Sequence, residues 1–344
     1  MIVGRLVLLI LVICLFFQNG FGQSDSVRHK YVEPFSDYFF LGPVLKKRNM
    51  SYDISSIQDE TKSLTFKPNT SYTFGLSLNI FEVGIEASLS VPINVKNQER
   101  FGTSTAADFR INSISKKWML EAYHQKYSGF YFSNPNLVLP PDQPYPHRDD
   151  LQTRNLGIGF SYIFNDDEFS MRSAYTFTER QRISRGSFIL SSIISSFDLI
   201  GDSALIKQSE RANFGAGSSA YQMKFTSLGI GPGYSYNLVY RNFFLNLTLI
   251  VGPAHYWIRY AQEDEPIRHD ILISTFQSAR IGLGYNGDRF FGGISYLSQT
   301  RNLRFEQVDF SNEITTFRLM VGYRFKEIGI LKVRAKDFAP IRRK

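Results

Sequence analysis

The sequence has one cysteine, Cys14, and it lies inside an apolar stretch near the start of the chain. Without further cysteines, disulfide bonds, paired-cysteine metal sites and thiolate chemistry are excluded from the rest of the chain. Histidine is also scarce, with five residues, and neither an HExxH motif nor a serine nucleophile elbow is present. The sequence therefore predicts no cofactor and no metal site.

Long apolar runs are also lacking. The longest is Leu6–Phe17, whose 12 residues are fewer than the roughly 20 that span a bilayer. Arg5 precedes this run and the small-x-small sequence Gly20-Phe21-Gly22 follows it, which predicts a signal peptide over Met1–Gly22 and a mature chain from Gln23. No later stretch approaches spanning length, so a helical membrane protein is excluded.

What the chain has instead is aromatic residues, 15% of the total with 31 Phe and 19 Tyr, arranged in strands of period two. The clearest strand is Ile314–Phe325, in which Phe317, Leu319, Val321, Tyr323 and Phe325 alternate with residues that include Arg318 and Arg324. Such a strand needs an apolar environment on one side and water on the other. In a membrane barrel these environments are the lipid and the lumen.

The same alternation recurs along the chain and predicts 14 strands. They are Tyr38–Lys47, Met50–Ile54, Tyr72–Ile80, Val83–Val91, Ala106–Ile114, Trp118–Phe132, Leu156–Phe164, Phe169–Phe177, Ser187–Leu199, Leu228–Leu238, Phe243–Val251, Ala279–Tyr285, Phe290–Tyr296 and Ile314–Phe325. The number of predicted strands does not agree with the sidedness of the predicted turns. Short turns at Asn165–Asp167 and Tyr240–Asn242 on the same side of a membrane require an even number of intervening strands, whereas this assignment gives three.

The polar faces of these strands are rich in Gly and Ser, and the apolar faces in Leu, Ile, Phe and Tyr. This combination favours a barrel over a soluble carbohydrate-binding sandwich, whose inner face would be bulkier and outer face more charged. The predicted fold is an all-β antiparallel transmembrane β-barrel of 12 to 14 strands, with an even total. Its predicted organisation is a signal peptide (1–22), an N-terminal periplasmic segment (23–37), the outer-membrane barrel (38–325) and a basic periplasmic tail (326–344).

Two connections are too long for turns, the proline-rich Ser133–Asp150 and the Ser- and Ala-rich Gly201–Ala220. The tail Lys326–Lys344 carries seven Lys or Arg against two Asp or Glu, which accounts for most of the formal net charge of +8. Because this charge sits in a tail of an exported chain, it does not indicate a nucleic-acid partner.

Several short motifs, in order along almost the whole mature chain, resemble an uncharacterised Bacteroidota family catalogued as a domain of unknown function and presumed to consist of outer-membrane β-barrels. The motifs are Lys67–Ser71, Tyr127–Tyr131, Tyr145–Leu151, Phe169-Ser170, Glu179–Gln181, Ser184–Ser187, Gly284–Asn286, Phe290–Gly292 and Val321–Phe325. The resemblance implies the barrel fold and location in the cell outer membrane. It implies no activity.

Charged residues on the polar faces are candidates for the lumen: Glu86, Asp108, Arg110, Arg172, Arg318 and Arg324. In a barrel of this size such residues usually form ion pairs across the interior and only sometimes an anion path. The function predicted first is therefore a structural, binding or small-solute channel role. Its expected partners are outer-membrane lipid and, through the strand ending at Phe325, the barrel assembly machinery.

The alternative is an enzyme at the barrel rim acting on lipid or peptide. His147, Asp149 and Asp150 place a base beside two carboxylates in the proline-rich loop and are the candidate catalytic residues. A solvated charged loop, or a lumen plug held by salt bridges, would give the same composition.

Overall fold

The computed structural model describes residues 25–59, 61–80, 83–134, 139–140 and 142–326. The predicted signal peptide (1–22) and all of the predicted basic tail except Lys326 lie outside the described residues. Within the described residues, no helix is long and apolar enough to cross a bilayer.

The described residues form 15 strands and four short helical segments. The strands are β1 (Val32–Pro34), β2 (Tyr38–Ser56), β3 (Ser63–Lys67), β4 (Tyr72–Ile80), β5 (Val83–Ser90), β6 (Thr105–Ile114), β7 (Trp118–Ser133), β8 (His147–Ile163), β9 (Glu179–Gln181), β10 (Arg185–Ile200), β11 (Ala220–Tyr240), β12 (Phe243–Gln262), β13 (Arg268–Asn286), β14 (Phe290–Phe305) and β15 (Val308–Lys326). The α-helices are α1 (Asp25–Tyr31), α2 (Val95–Phe101) and α3 (Arg172–Tyr175), and a 3-10 helix covers Arg211–Asn213.

The main sheet closes on itself because the last strand, β15, pairs with β2 along nearly its whole length, from Lys326 opposite Tyr38 to Val308 opposite Ser56. Ten strands form the closed antiparallel ring, in the order β2-β3-β7-β8-β10-β11-β12-β13-β14-β15, and β4, β5 and β6 bring the sheet to 13 strands. The prediction of an all-β antiparallel barrel is confirmed. We call the end with Tyr38 and Lys326 the lower end and the opposite end the upper end.

The ring is not uniform between β2 and β7. In its upper part β2 pairs with β3, and β3 pairs with β7. In its lower part β2 pairs with β4, which carries β5, while β6 pairs with the lower part of β7. Among the described residues, β5 and β6 share no ladder, so each presents one unpaired edge to the other.

The predicted strand Phe169–Phe177 is wrong. These residues form α3 and its flanking turns, because Ser173 donates from its backbone N–H and its hydroxyl to the Ser170 side chain and carbonyl, at 3.1 and 2.7 Å, and so curls the chain locally. Because β9 belongs to a separate small sheet, removing this strand leaves β10 and β11 as the ring strands between the two short turns. That number is even, and it resolves the conflict in the sequence-based assignment.

Residues 165–184 instead fold inward at the lower end, together with residues 25–37. The two segments are joined by the small sheet of β1 with β9. Phe169, Phe177 and Val32 are buried there. We refer to 25–37 and 165–184 together as the plug.

The separate predicted strands Tyr38–Lys47 and Met50–Ile54 are also wrong, since both belong to the single strand β2. The pattern appeared broken at Arg48 and Asn49 because the apolar positions change sides there, from the outward Leu41 to the inward, buried Met50 and Tyr52. Arg48 is neutralised inside the barrel by Asp108, at 3.0 Å, so no turn is needed.

Candidate functional site

The lower half of the lumen is crossed by ion pairs between strands. Glu86 of β5 contacts Lys46 of β2, and Arg318 of β15 donates to the same carboxylate at 3.1 Å. Arg318 also donates to the backbone carbonyl of Tyr175 in the plug, at 3.4 Å. Two of the predicted lumen charges, Glu86 and Arg318, thus lie together. They connect the barrel wall beside the unpaired edge of β5 to the plug.

A second group surrounds Asp108 of β6. Its carboxylate pairs with Arg48 and accepts hydrogen bonds from Gln125, at 2.9 Å, and from the Tyr127 hydroxyl, at 3.3 Å. Arg110, also on β6, lies over the ring of Tyr123 at 5.2 Å. Asp108 and Arg110 therefore each bind partners on β2 or β7 rather than each other.

Sequence reasoning missed a deeply buried ion pair at mid-height in the lumen. Arg280 of β13 donates to Glu121 of β7 at 2.6 Å, and both side chains are almost fully buried. The inward orientation of Glu121 follows from the alternation of β7, but its partner lies 159 residues away. No local pattern in the sequence links the two strands.

These side chains leave little free space in the middle of the lumen. Glu121, Arg280, Arg301, Ser161 and Ser191 line a cavity of about 30 Å³. A cavity of that size holds one or two water molecules. The lumen of this structure is therefore filled at mid-height.

Glu179 is the centre of the plug. Arg28 donates to its carboxylate at 2.6 Å, Arg172 approaches at 3.3 Å, and the Ser170 hydroxyl also donates to it. Burial raises the pKa of Glu179, but Arg172, Arg28 and the hydrogen bond from Ser170 lower it more, so its pKa lies below the ordinary value. The predicted lumen charge Arg172 thus helps to fix the fold of the plug.

Arg324, the other predicted lumen charge on β15, attaches the plug to the closing strand. It is fully buried and donates to the carbonyl of Phe177 and to the side chain of Asn286, both at 2.6 Å. Its guanidinium also lies between the rings of Phe35 and Phe291, at 3.7 and 4.6 Å from their centroids. Such contacts are favourable for a cation over an aromatic face.

The structure does not bring the three candidate catalytic residues into one site. His147 Nδ1 lies 2.7 Å from Asp149, whose side chain is 88% exposed. Asp150 instead forms a two-point ion pair with Arg148, at 2.7 Å, and accepts from the backbone N–H of Asp202 at 3.0 Å. Asp150 therefore anchors the loop after β10. Among the described residues, no group of three or more His, Cys, Asp or Glu side chains is arranged to hold a metal ion.

The family model for the domain of unknown function DUF4421 matches residues 23–325, which is most of the sequence. The chain belongs to the DUF4421 family. The resemblance drawn from the motifs is therefore confirmed as to the family, while the bacterial phylum stays a prediction. No protein of curated function matches the sequence significantly.

Solved structures similar to this DUF4421 barrel are bacterial membrane barrels with very different sequences. The outer membrane protease OmpT of Escherichia coli is 9% identical with a TM-score of 0.41, and the match covers 84% of this chain and 97% of OmpT. The NalP autotransporter translocator domain of Neisseria meningitidis is 9% identical with a TM-score of 0.29 and 90% of each chain covered. Ail, the attachment invasion locus protein of Yersinia pestis, is 13% identical with a TM-score of 0.25, covering 61% of this chain and 97% of Ail. Similarity this low carries no information on activity.

Proposed function

We propose that the protein is an outer-membrane β-barrel whose lumen is closed at rest, and that it has a binding or structural role rather than that of an open pore. The proposed location in the outer membrane rests on the outward face of the lower half of the barrel. It is a continuous belt of exposed apolar side chains, among them Leu156, Phe188, Leu228, Leu247, Leu283 and Val321. In water so large an apolar surface would be unfavourable, whereas in a bilayer it faces hydrocarbon.

The lengths of the connections support an orientation in that membrane. At the lower end the connections β11–β12 and β13–β14 are tight turns, and both termini of the barrel also lie at this end. At the upper end β14 and β15 are also joined by a tight turn, but two connections there are long, residues 134–146 and 201–219, whereas the one long connection of the ring at the lower end, residues 164–184, folds inward as part of the plug. Outer-membrane barrels have short periplasmic turns and longer extracellular loops, so the lower end is assigned to the periplasm.

The filled lumen supports the closed state. The plug occupies the lower end, the ion pairs around Glu121 fill the middle, and a cluster of aromatic and aliphatic side chains fills the upper half, including Tyr52, Phe197, Phe225, Tyr256 and Phe310. An open channel would need a continuous path of water.

We also propose that the strand ending at Phe325 contacts the barrel assembly machinery. Phe325 stacks on Phe39 of the partner strand β2, with centroids 5.2 Å apart, and packs edge-on against Tyr323 at 4.8 Å. These rings cover the closing seam on the proposed lipid side. Phe325→Ala with Tyr323→Ala should therefore lower the yield of assembled barrel in the outer membrane.

The closed state is tested by conductance of the purified, heat-modifiable protein in planar bilayers. We expect the wild type to show no steady conductance and Glu179→Ala to open frequently, because two arginines of the plug lose their common partner. Glu168→Ala is the matched control, since Glu168 lies in the same segment but pairs with Arg185 near the surface, at 2.8 Å. A steady open conductance in the wild type, or recovery of the protein only in the soluble fraction, would refute the proposal.

A rim enzyme remains the alternative, and the contact of His147 with Asp149 is the observation in its favour. Turnover of lipid A, phospholipid or peptide substrates that is lost in His147→Ala would support it. Absence of turnover in the wild type would count against it.

A further inference from the structure

A groove of about 610 Å³ lies on the outer wall of the barrel. It lies where β3 leaves the edge of β2 and β4 takes its place lower down. Its floor is formed by outward side chains of two paired strands, chiefly Lys47 and Ser51 of β2 and Thr315 of β15.

Hydrogen bonds hold the segments that form the wall of the groove in place. Asn69, between β3 and β4, donates from its side chain to the Gly102 carbonyl at 2.8 Å and from its backbone to the Ser104 hydroxyl at 2.7 Å. Thr70 donates to the Arg48 carbonyl at 3.1 Å. On the other side, the Asn94 side chain caps α2 by accepting from the Asn97 backbone at 2.8 Å. The groove is therefore preformed.

The lining combines aromatic faces with amide, hydroxyl and ammonium groups. Phe101 and Tyr131 lie 4.9 Å apart at one side, and Lys47 sits over the ring of Tyr72 at 4.9 Å. Aromatic faces pack against the apolar faces of sugar rings, while amides and hydroxyls bond their hydroxyl groups. The charged side chains of the lining are Lys47, Lys67 and Glu313, so positive charge predominates and an anionic sugar is favoured.

The position of the groove indicates that this sugar belongs to a lipid. On β2, the next outward residue below Lys47 is Leu45. Leu45 pairs with Leu319 of β15, which pairs with Ile294 of β14, so these residues form an apolar row directly below the floor of the groove. Leu319 and Ile294 are exposed at the upper margin of the apolar belt. A molecule with its headgroup in the groove would lay its acyl chains directly on these residues.

We propose that the groove binds the anionic sugar headgroup of a glycolipid of the outer leaflet. This inference rests on the membrane orientation proposed above and adds a specific lipid ligand to it. Lys47 and Lys67 would pair with phosphate or carboxylate groups on the sugar, and the tyrosine rings would support the sugar itself. Charge-assisted contacts of this kind are stronger than hydrogen bonds between neutral groups, so removing both lysines should weaken binding by a measurable factor.

The test uses full-length protein purified in its folded, heat-modifiable form, with binding measured by native mass spectrometry. The probes are a phosphorylated lipopolysaccharide, the same saccharide freed of its acyl chains, and phosphatidylglycerol, which is anionic but has no sugar. The variants are Lys47→Ala with Lys67→Ala, and Ser71→Trp, which fills the groove without changing charge. Lys126→Ala with Lys224→Ala is the matched control, since these exposed lysines lie on other strands of the wall.

We expect the lipopolysaccharide to bind the wild type, and the double lysine variant and Ser71→Trp to bind it about tenfold more weakly or worse, while the control variant is unchanged. The free saccharide should bind more weakly than the whole glycolipid. Equal binding of phosphatidylglycerol, or full binding by a folded Ser71→Trp protein, would overturn the proposal. Loss of the heat-modifiable form in the wild type would instead refute the membrane assignment, so the two failures are distinguishable.

Discussion

The upper and lower halves of the barrel are built from the same strands but have interiors of different polarity. In the lower half of β12 the inward residues Asn246 and Thr248 are polar, and the outward residue Leu247 is apolar and exposed. In the upper half of the same strand the inward residues are Tyr256 and Ile258, both buried. The alternation of inward and outward positions continues without a shift. The inward residues become large and apolar, while the outward residues become mixed, with Arg259 polar and Trp257, Ile271 and Ile273 apolar and exposed.

This difference in composition follows from the solvent that surrounds each half of the barrel. An outward position in hydrocarbon favours Leu, Ile and Phe and leaves the polar residues to the lumen, whereas an outward position in water requires the reverse. The upper half is thus organised like a soluble barrel with a hydrophobic core. The lower half is organised for lipid.

The largest effect is expected from Phe310→Ala, in the centre of the upper core. Phe310 lies 5.7 Å from Tyr52 and 5.9 Å from Phe197 between ring centroids, and the truncation leaves a cavity in a closed space. We expect a loss of about 3–5 kcal/mol in the free energy of unfolding, measured by denaturant titration in micelles. The control is Leu249→Ala, which removes an exposed side chain from the outward face of the lower half. An equally large loss in the control would contradict the comparison.

A somewhat smaller effect is expected when charge is placed on the lower outward face. Leu247→Arg should lower the stability of the inserted barrel by roughly 2–4 kcal/mol, because the guanidinium must enter hydrocarbon near the midplane. Ser311→Arg, at an outward position of the upper half, should be tolerated. The readout is the yield of the heat-modifiable, protease-resistant species, and equal tolerance at both positions would show that the upper and lower outward faces meet the same solvent.

The smallest effect is the pH dependence of the plug. Because the pKa of Glu179 in the folded protein lies below its ordinary value, its carboxylate stabilises the docked plug above the unfolded pKa, and this contribution is lost as the pH falls through the folded pKa. The charged groups that face the carboxylate are Arg28 and Arg172. We expect wild-type conductance events to become more frequent as the pH falls below the ordinary pKa of a glutamate. Glu179→Gln should remove this pH dependence, and an unchanged profile in that variant would assign the effect to another group.

Local alternation was sufficient to predict most strands of the barrel and the apolar outward face of residues such as Leu247 and Val321, but it missed the short ring strand β3. It was misleading at Phe169–Phe177, where nine residues alternate by chance and the serine hydrogen bonds that curl the chain have no signature of period two. It also predicted a polar lumen throughout, although the upper inward residues of β12 and β15 are large and apolar. Alternation gives the two faces of a strand, but which face is inside depends on the surrounding solvent.

The candidate site was less accessible to sequence reasoning. Inward orientation of Glu86 and Arg318 could be read from their strands, but their pairing depends on the closure of β15 onto β2. The partnership of Glu121 with Arg280, and that of Glu179 with Arg28, joins residues more than 100 positions apart. The spacing of residues along the chain does not predict such contacts.

The unpaired edges of β5 and β6 make this part of the wall the place where the barrel opens first. Each of the ten ring strands pairs with a neighbour on both sides, whereas among the described residues β5 and β6 each pair on one side only. Separating them breaks no backbone hydrogen bond between them, so widening the wall here costs less than at any ladder. Amide protons of Glu86–Ser90 and Thr105–Ile114 should therefore exchange with solvent deuterons earlier than those of β11 and β12. A cysteine pair that joins these two strands would stiffen the whole cylinder against expansion.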